Sequence, residues 1–201
     1  MKTLSAKAQA TREKILRAAN DLFYLHGYNA TGLDRIIAAA GVTKGNFYHH
    51  FKSKEELATA VIEWHRERAV AEIGIAELLA SDAPRQAVIR LLEGMAERML
   101  CGTDVCEVRG CFFGNFALEL STGSEAVRKK VQEVFDGMRA VFRQLLERAR
   151  EAGEIRTDLD PERAAGMILS LMEGAVLLDK TGQTRREVRR AVEFIDDYLG
   201  P

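Results

Sequence analysis

Gly41-Val-Thr-Lys-Gly-Asn-Phe-Tyr-His-His-Phe-Lys-Ser-Lys-Glu-Glu-Leu57 is the stretch that decides the fold. Gly41 supplies the left-handed backbone of a sharp turn, and Val42 stands where a side chain plugs the angle between two helices. Thr43 is placed to cap a short helix whose inner face carries Phe47 and Phe51, four residues apart. Lys44, Gly45, Tyr48 and His49 fall on the other side. A helix N-terminus with a lysine, a glycine and hydroxyl or imidazole donors suits close approach to phosphates and base edges. Ser53-Lys-Glu-Glu56 reads as a capping box that opens a new helix. Of the flanking groups, Thr43, His50, Lys52 and Lys54 are expected mainly to hold phosphates.

Upstream of Gly41, Thr31 is expected to cap a helix that buries Leu33, Ile36, Ile37 and Ala40 on one face. The two helices and the glycine between them make a helix-turn-helix, and the second has the size and chemistry to enter a DNA major groove. Charge agrees with this. Residues 1–54 hold nine Lys and Arg against three Asp and Glu, a net of +6, while 55–201 hold 20 against 27, a net of −7. The total of −1 therefore hides a basic head on an acidic body. Such a head is drawn to the phosphate backbone.

The rest of the 201 residues bounds the class. Hydrophobic residues at 47% suffice for a buried interior, and three prolines leave room for long helices. No apolar run follows the basic start as a signal peptide would, and no 18-residue apolar stretch predicts a membrane span. Three cysteines without an export signal point to reduced thiols in the cytoplasm. Enzyme signatures are absent: there is no phosphate-cradling glycine loop and no HExxH. All four histidines, His26, His49, His50 and His65, fall in the head or just after it. Cys101, Cys106 and Cys111 touch the edge of zinc-ligand spacing, but no fourth ligand is in sight and no metal or cofactor is expected.

Past the head everything reads as helix. One runs from Leu57 through Trp64 to about Ala80. Another follows Asp82-Ala-Pro84 and carries Val88, Leu91, Leu92, Met95 and Met99. A third resumes at Cys111-Phe-Phe-Gly-Asn-Phe-Ala-Leu-Glu-Leu120, and Ser124 opens one ending near Gly153. Asp160-Pro161 is an N-cap with proline at the first helical position. A capping box at Thr184-Arg-Arg-Glu187 opens the last helix, to Leu199. The expectation is an all-α chain of about nine helices, with a DNA-binding domain at 1–54 and a larger helical domain at 55–201.

The residues from about Thr11 to Leu57 closely resemble the tetracycline-repressor (TetR) family of bacterial one-component regulators. The resemblance rests on Ile15, Leu16, Ala19, Leu22 and Phe23 in the first helix, then Gly27-Tyr28, Thr31 and Gly41 to Phe51. Gly32 stands where members often carry a second hydroxyl residue. The resemblance implies a repressor that binds an inverted-repeat operator as a homodimer, paired through its last two long helices. Met167 to Leu178 is apolar nearly all round, and Leu171, Val188, Val192 and Ile195 are candidates for that interface. The alternative is that both helices simply pack into the core of one chain.

The resemblance also implies an effector pocket in the body. Candidate lining residues are Trp64, Met95, Met99, Phe112, Phe113, Phe116, Met167 and Met172, with Asn115, Glu119 and Glu173 as polar anchors. Each apolar one fits plain core as well. Gly110-Cys111 opening a helix, followed by Gly174-Ala-Val-Leu-Leu-Asp-Lys180, looks like the layout of electrophile- and oxidant-sensing members. It makes Cys111 a candidate sensing thiol, activated by the helix N-terminus and by Lys180. An inert buried cysteine fits the same residues. Two other classes stand beside the ligand-controlled repressor: a DNA-binding dimer without an effector, and a helical interaction or thiol-reactive protein, which leaves the basic head unexplained.

Overall fold

The computed structural model describes residues 5–100 and 107–200. Among them are ten helices and no strand: α1 (Ala6–His26), α2 (Leu33–Ala40), α3 (Lys44–His50), α4 (Lys54–Ile73), α5 (Ile75–Leu79), α6 (Pro84–Leu100), α7 (Phe112–Leu120), α8 (Glu125–Glu151), α9 (Pro161–Gly182) and α10 (Arg186–Leu199). The all-α expectation holds. The count exceeds nine because the helix expected to reach Ala80 breaks at Gly74. That residue adopts φ 72, ψ 46, a left-handed conformation that ends α4 and lets α5 start afresh.

The chain divides into two compact units, and neither boundary falls at residue 54. One runs up to Arg68 and adds Asn115–Gln132, while the other holds Ala69–Gly114 and the residues from Glu133 onward. In the first unit α1 packs on α2 and α2 on α3. Ile15, Ala19, Phe23, Ile36, Phe47, Phe51, Leu57 and Ile62 form its buried interior. Ser53 Oγ accepts the Glu56 amide at 3.0 Å as the capping box requires, but Glu56 Oε2 reaches back to the amide of Lys52 at 2.7 Å. Thr31 does not cap α2. The helix starts one residue later, behind Gly32, which has no side chain to cap with. The Thr31 hydroxyl, fully buried, lies 2.7 Å from the Gly27 carbonyl oxygen and 3.2 Å from that of Leu22, fastening the loop to the end of α1.

In the second unit α10 packs on α9 and α6, and α5 on α6. Val188, Ala191, Ile195 and Leu199 are buried in the chain's own core, so Val188 and Ile195 are not the outward face expected for a dimer contact. The reason is amphipathic phase. Phe194 and Tyr198 take the opposite side of α10 and remain 61% and 43% exposed. On α9, Met172 and Val176 point inward while Met167 and Leu171 are exposed.

The capping box expected at Thr184 is also replaced. α10 begins at Arg186 with no side-chain cap from its own flank. Asp179, fully buried near the end of α9, accepts the amides of Arg186, Glu187 and Val188 at 3.1, 3.0 and 2.8 Å, and the Thr184 hydroxyl at 2.5 Å. Burial alone would raise this carboxyl. The Thr184 hydroxyl and the three amides outweigh it and hold the group below the ordinary carboxylate range. Asp179→Ala is expected to cost about 1–2 kcal/mol, the loss of a cap that serves three donors. Asp179→Asn tests the charge. Its deficit in thermal unfolding is full above the unfolded carboxyl value of about 3.9 and closes as pH falls through the lower folded value.

Candidate nucleic-acid interface

The α2–α3 pair is built by short-range rules. Gly41 takes φ 63, ψ 35 and passes its amide to Ala38 and Ile37, ending α2 in the left-handed manner a glycine permits. Val42 is half-buried in the turn. Thr43 caps α3, its hydroxyl accepting the Asn46 amide at 3.2 Å. Phe47 and Phe51 turn inward with ring centroids 6.0 Å apart, and the Arg12 guanidinium lies 5.2 Å from the Phe51 ring. Thr43, Lys44, Gly45, Tyr48 and His49 are left exposed on the outer side.

Within that face the groups differ in readiness. Lys44 Nζ lies 3.3 Å from Asp34 Oδ1, but both side chains are largely exposed. Such a pair is weak, so a phosphate or base edge can replace the carboxylate. The His49 and His50 rings meet edge to face at 5.2 Å. Burial, then His49 and Arg12, pull His50 below the ordinary imidazole value, so at neutral pH it serves as a hydrogen-bonding group rather than a cation. Lys52 is exposed. Lys54 is not beside it in solvent: half-buried, its ammonium lies 4.1 Å from the Tyr28 ring centroid. Desolvation lowers its pKa against the pull of Glu119.

The expected pocket residues part company. Trp64, Asn115, Phe116 and Glu119 belong to the first unit, and Met95, Met99, Cys111, Phe112, Phe113, Met172 and Glu173 to the second. Phe116 packs edge to face on Phe23 at 5.6 Å, so it is interior of the head. Trp64 is half-buried under the Arg68 guanidinium, 4.8 Å from its ring. Glu119 is no ligand anchor, since both its oxygens are engaged by backbone amides of Tyr28 and Asn29.

In the second unit Met95, Met99, Phe112, Phe113 and Met172 are buried. Cys111, buried directly before α7, accepts the Gly114 amide on its sulfur at 3.4 Å. The thiol is nevertheless pushed well above its ordinary value, first by burial and then by the Glu173 carboxylate, which outweigh the Gly114 and Phe113 amides. Its charged partner is thus an acid. Lys180 lies two turns beyond Glu173 on α9, about 10 Å further along the axis. Glu173 is itself raised by burial, and its Oε1 is buried without a hydrogen-bond partner. Gly114 makes room for this pairing, because a Cβ there would fall 2.8 Å from Glu173 Oε2. Cys101 and Cys106 lie outside the described residues.

A capped reading helix on a basic head, followed by a helical body, defines a DNA-binding regulator. Residues 15–61 match the family model for bacterial regulatory proteins of the tetR family, and 85–195 match that for the tetracyclin repressor-like C-terminal domain. The chain belongs to the TetR family of transcriptional regulators. It is 30% identical to the HTH-type transcriptional regulator LmrA of Bacillus subtilis, over 94% of this chain and 96% of LmrA. It is 29% identical to the HTH-type transcriptional repressor DhaR of a Mycobacterium species, over 94% and 88%. Among solved structures, a TetR regulator from Chloroflexus aurantiacus shares 33% identity at a TM-score of 0.83, over 97% and 96%. Escherichia coli NemR in its reduced form shares 26% at 0.82, over 94% and 98%. Among the described residues no helix is long and apolar enough to cross a membrane.

Proposed function

We propose that this chain is a cytoplasmic transcriptional repressor that binds an inverted-repeat operator as a homodimer and lets go when a small molecule occupies its helical body. The observation that carries the reading is the exposed Lys44, Gly45, Tyr48 and His49 face on a capped α3, in a head of net charge +6. The likeness to DhaR and NemR, both transcriptional repressors, supports the direction of control. Met167, Leu171, Phe194 and Tyr198 border a groove of about 470 Å³ on α9 and α10, an apolar face of the kind that a second copy covers.

Selection from a pool of random duplexes, followed by footprinting, tests the reading. An inverted repeat is expected, with affinity that falls steeply as salt rises. Lys44→Ala is expected to cost on the order of 1–3 kcal/mol and to relax preference at one base position. Lys52→Ala is expected to weaken all sequences alike and flatten the salt dependence. A selection that returns no common sequence would overturn the proposal.

For the signal we infer a noncovalent effector, because Cys111 is buried beside Glu173 and held as a neutral thiol. The second reading, Cys111 as an electrophile sensor with Lys180 as its partner, draws support from the likeness to NemR in its reduced form and from the amides aimed at the sulfur. Alkylation mapped by mass spectrometry separates them. Under the first reading, Cys111 reacts slowly at neutral pH and faster only above the ordinary thiol range of about 8.5, and Glu173→Gln speeds it. Release of DNA by N-ethylmaleimide in wild type but not in Cys111→Ser establishes the second.

A further inference from the structure

Two observations about the α1–α2 loop converge on one side chain far away in sequence. Glu119, in the last turn of α7, accepts the Tyr28 amide on Oε1 at 3.0 Å and the Asn29 amide on Oε2 at 2.8 Å. The loop residue before them is shaped for this. Gly27 holds φ 81, and a Cβ at that position would fall 2.7 Å from Glu119 Oε1. Glycine is required there twice, by its backbone conformation and by the approaching carboxylate.

The grip has more than one finger. Phe116, three residues before Glu119 and on the same side of α7, packs against Tyr28 at 6.1 Å and Phe23 at 5.6 Å. Lys54 lies over the Tyr28 ring, its ammonium 4.1 Å from the centroid. Just after α7, Ser124 donates to Glu55 Oε1 at the start of α4. Loop 27–31 joins α1 to α2, which packs on α3, and Thr31 fastens the same loop to Gly27 and Leu22.

We propose that Glu119 is a positioning residue for operator recognition: its two-oxygen hold on the Tyr28 and Asn29 amides fixes the presentation of the reading helix. It lies well beyond residues 15–61, the stretch that matches the DNA-binding family model. The inference rests on the chain being a sequence-specific DNA binder, and one arm of its test is free of DNA.

Electrostatics gives the test a sign. Removing a negative charge from a DNA-binding unit, by itself, strengthens its attraction for phosphates. A lost positioning residue does the opposite to specific binding only. In Glu119→Gln, one amide oxygen replaces two carboxylate oxygens, and the new NH2 group confronts a backbone donor. Hydrogen exchange at the Tyr28 and Asn29 amides should then quicken by at least about tenfold. Affinity for the inverted repeat selected by the wild type should fall by about tenfold or more, while affinity for random-sequence duplex holds or rises. Glu119→Asp keeps the charge on a shorter stem and should lose less of both. Ser124→Ala, the neighbouring control, should leave exchange at Tyr28 and Asn29 unchanged. Fast exchange of these amides in the wild type overturns the proposal before any DNA is added. So does a Glu119→Gln variant that keeps its specific affinity, or that loses specific and random binding in equal proportion. Should Glu119→Gln lose the head's helicity, the graded Glu119→Asp comparison decides. Wild type that binds no sequence preferentially defeats the regulator reading, and the exchange arm still reports on the grip itself.

Discussion

Phe47→Ala is expected to unfold the DNA-binding head and abolish binding to every duplex, specific or random. Phe47 is fully buried on a helix of only seven residues, packed against Phe51 at 6.0 Å and edge to face with Tyr48 at 5.3 Å. Truncating a buried phenylalanine costs about 3–5 kcal/mol, transfer and cavity together. A whole domain commonly has only about 5–15 kcal/mol in hand, and a small head sits at the low end. Circular dichroism should show an early transition for the head, with the second unit melting later. Tyr48→Ala is the matched control. Its side chain is 44% exposed, so melting should stay close to wild type while operator affinity drops. A Phe47→Ala protein that melts like wild type would mean that α3 is not anchored as described.

Phe194→Asp is expected to turn the dimer into monomers and, through that alone, to remove tight operator binding. The substituted side chain is largely exposed in one chain, so the fold of the protomer should survive. It stacks on Tyr198 at 6.3 Å with the rings nearly parallel, beside exposed Met167 and Leu171. In an isologous contact one substitution is felt twice, and an unpaired carboxylate buried against apolar surface costs several kcal/mol. Sedimentation should show monomers at concentrations where the wild type is dimeric, with thermal stability of the isolated protomer unchanged. A half-site reader that has lost its twin should retain weak, salt-sensitive DNA binding only. Val188→Asp, by contrast, should unfold the second unit, because that side chain is inside it. Dimers that persist in Phe194→Asp would move the interface away from α9 and α10.

The contrast between Phe194 and Val188 shows where sequence reading succeeds. The period of α10 identified an apolar stripe correctly, but a helix with apolar residues on two sides does not announce which side turns inward. The DNA-reading element was legible because its signals are local: a cap within three residues, a glycine turn, and two phenylalanines one turn apart. Asp179, Glu119 and Glu173 are harder to read, because each takes its role from partners outside its own helix. Asp179 caps a helix other than its own, and Glu119 bonds residues 91 and 90 positions away. An isolated carboxylate in a helix pattern looks like solvated charge until its partners are brought to it. The charge partner of Cys111 followed the same rule: the basic residue in the sequence pattern was visible, and the acid that folding places beside the thiol was not.

Gln183 ends α9 with φ 50, the one non-glycine residue among those described with a positive φ. Its side-chain amide accepts the Val108 amide at 3.1 Å and donates to the carbonyls of Val108 at 3.3 Å and Lys180 at 2.7 Å. One primary amide thereby imitates a passing backbone and satisfies both polar groups of Val108, three residues before the buried thiol. Hydrolysis of that amide, as happens slowly to glutamine in ageing protein, would exchange a donor for an anionic oxygen facing two carbonyls. Stored preparations would then carry a growing fraction of molecules one unit more acidic and loosened at Val108, separable by ion exchange though identical in length.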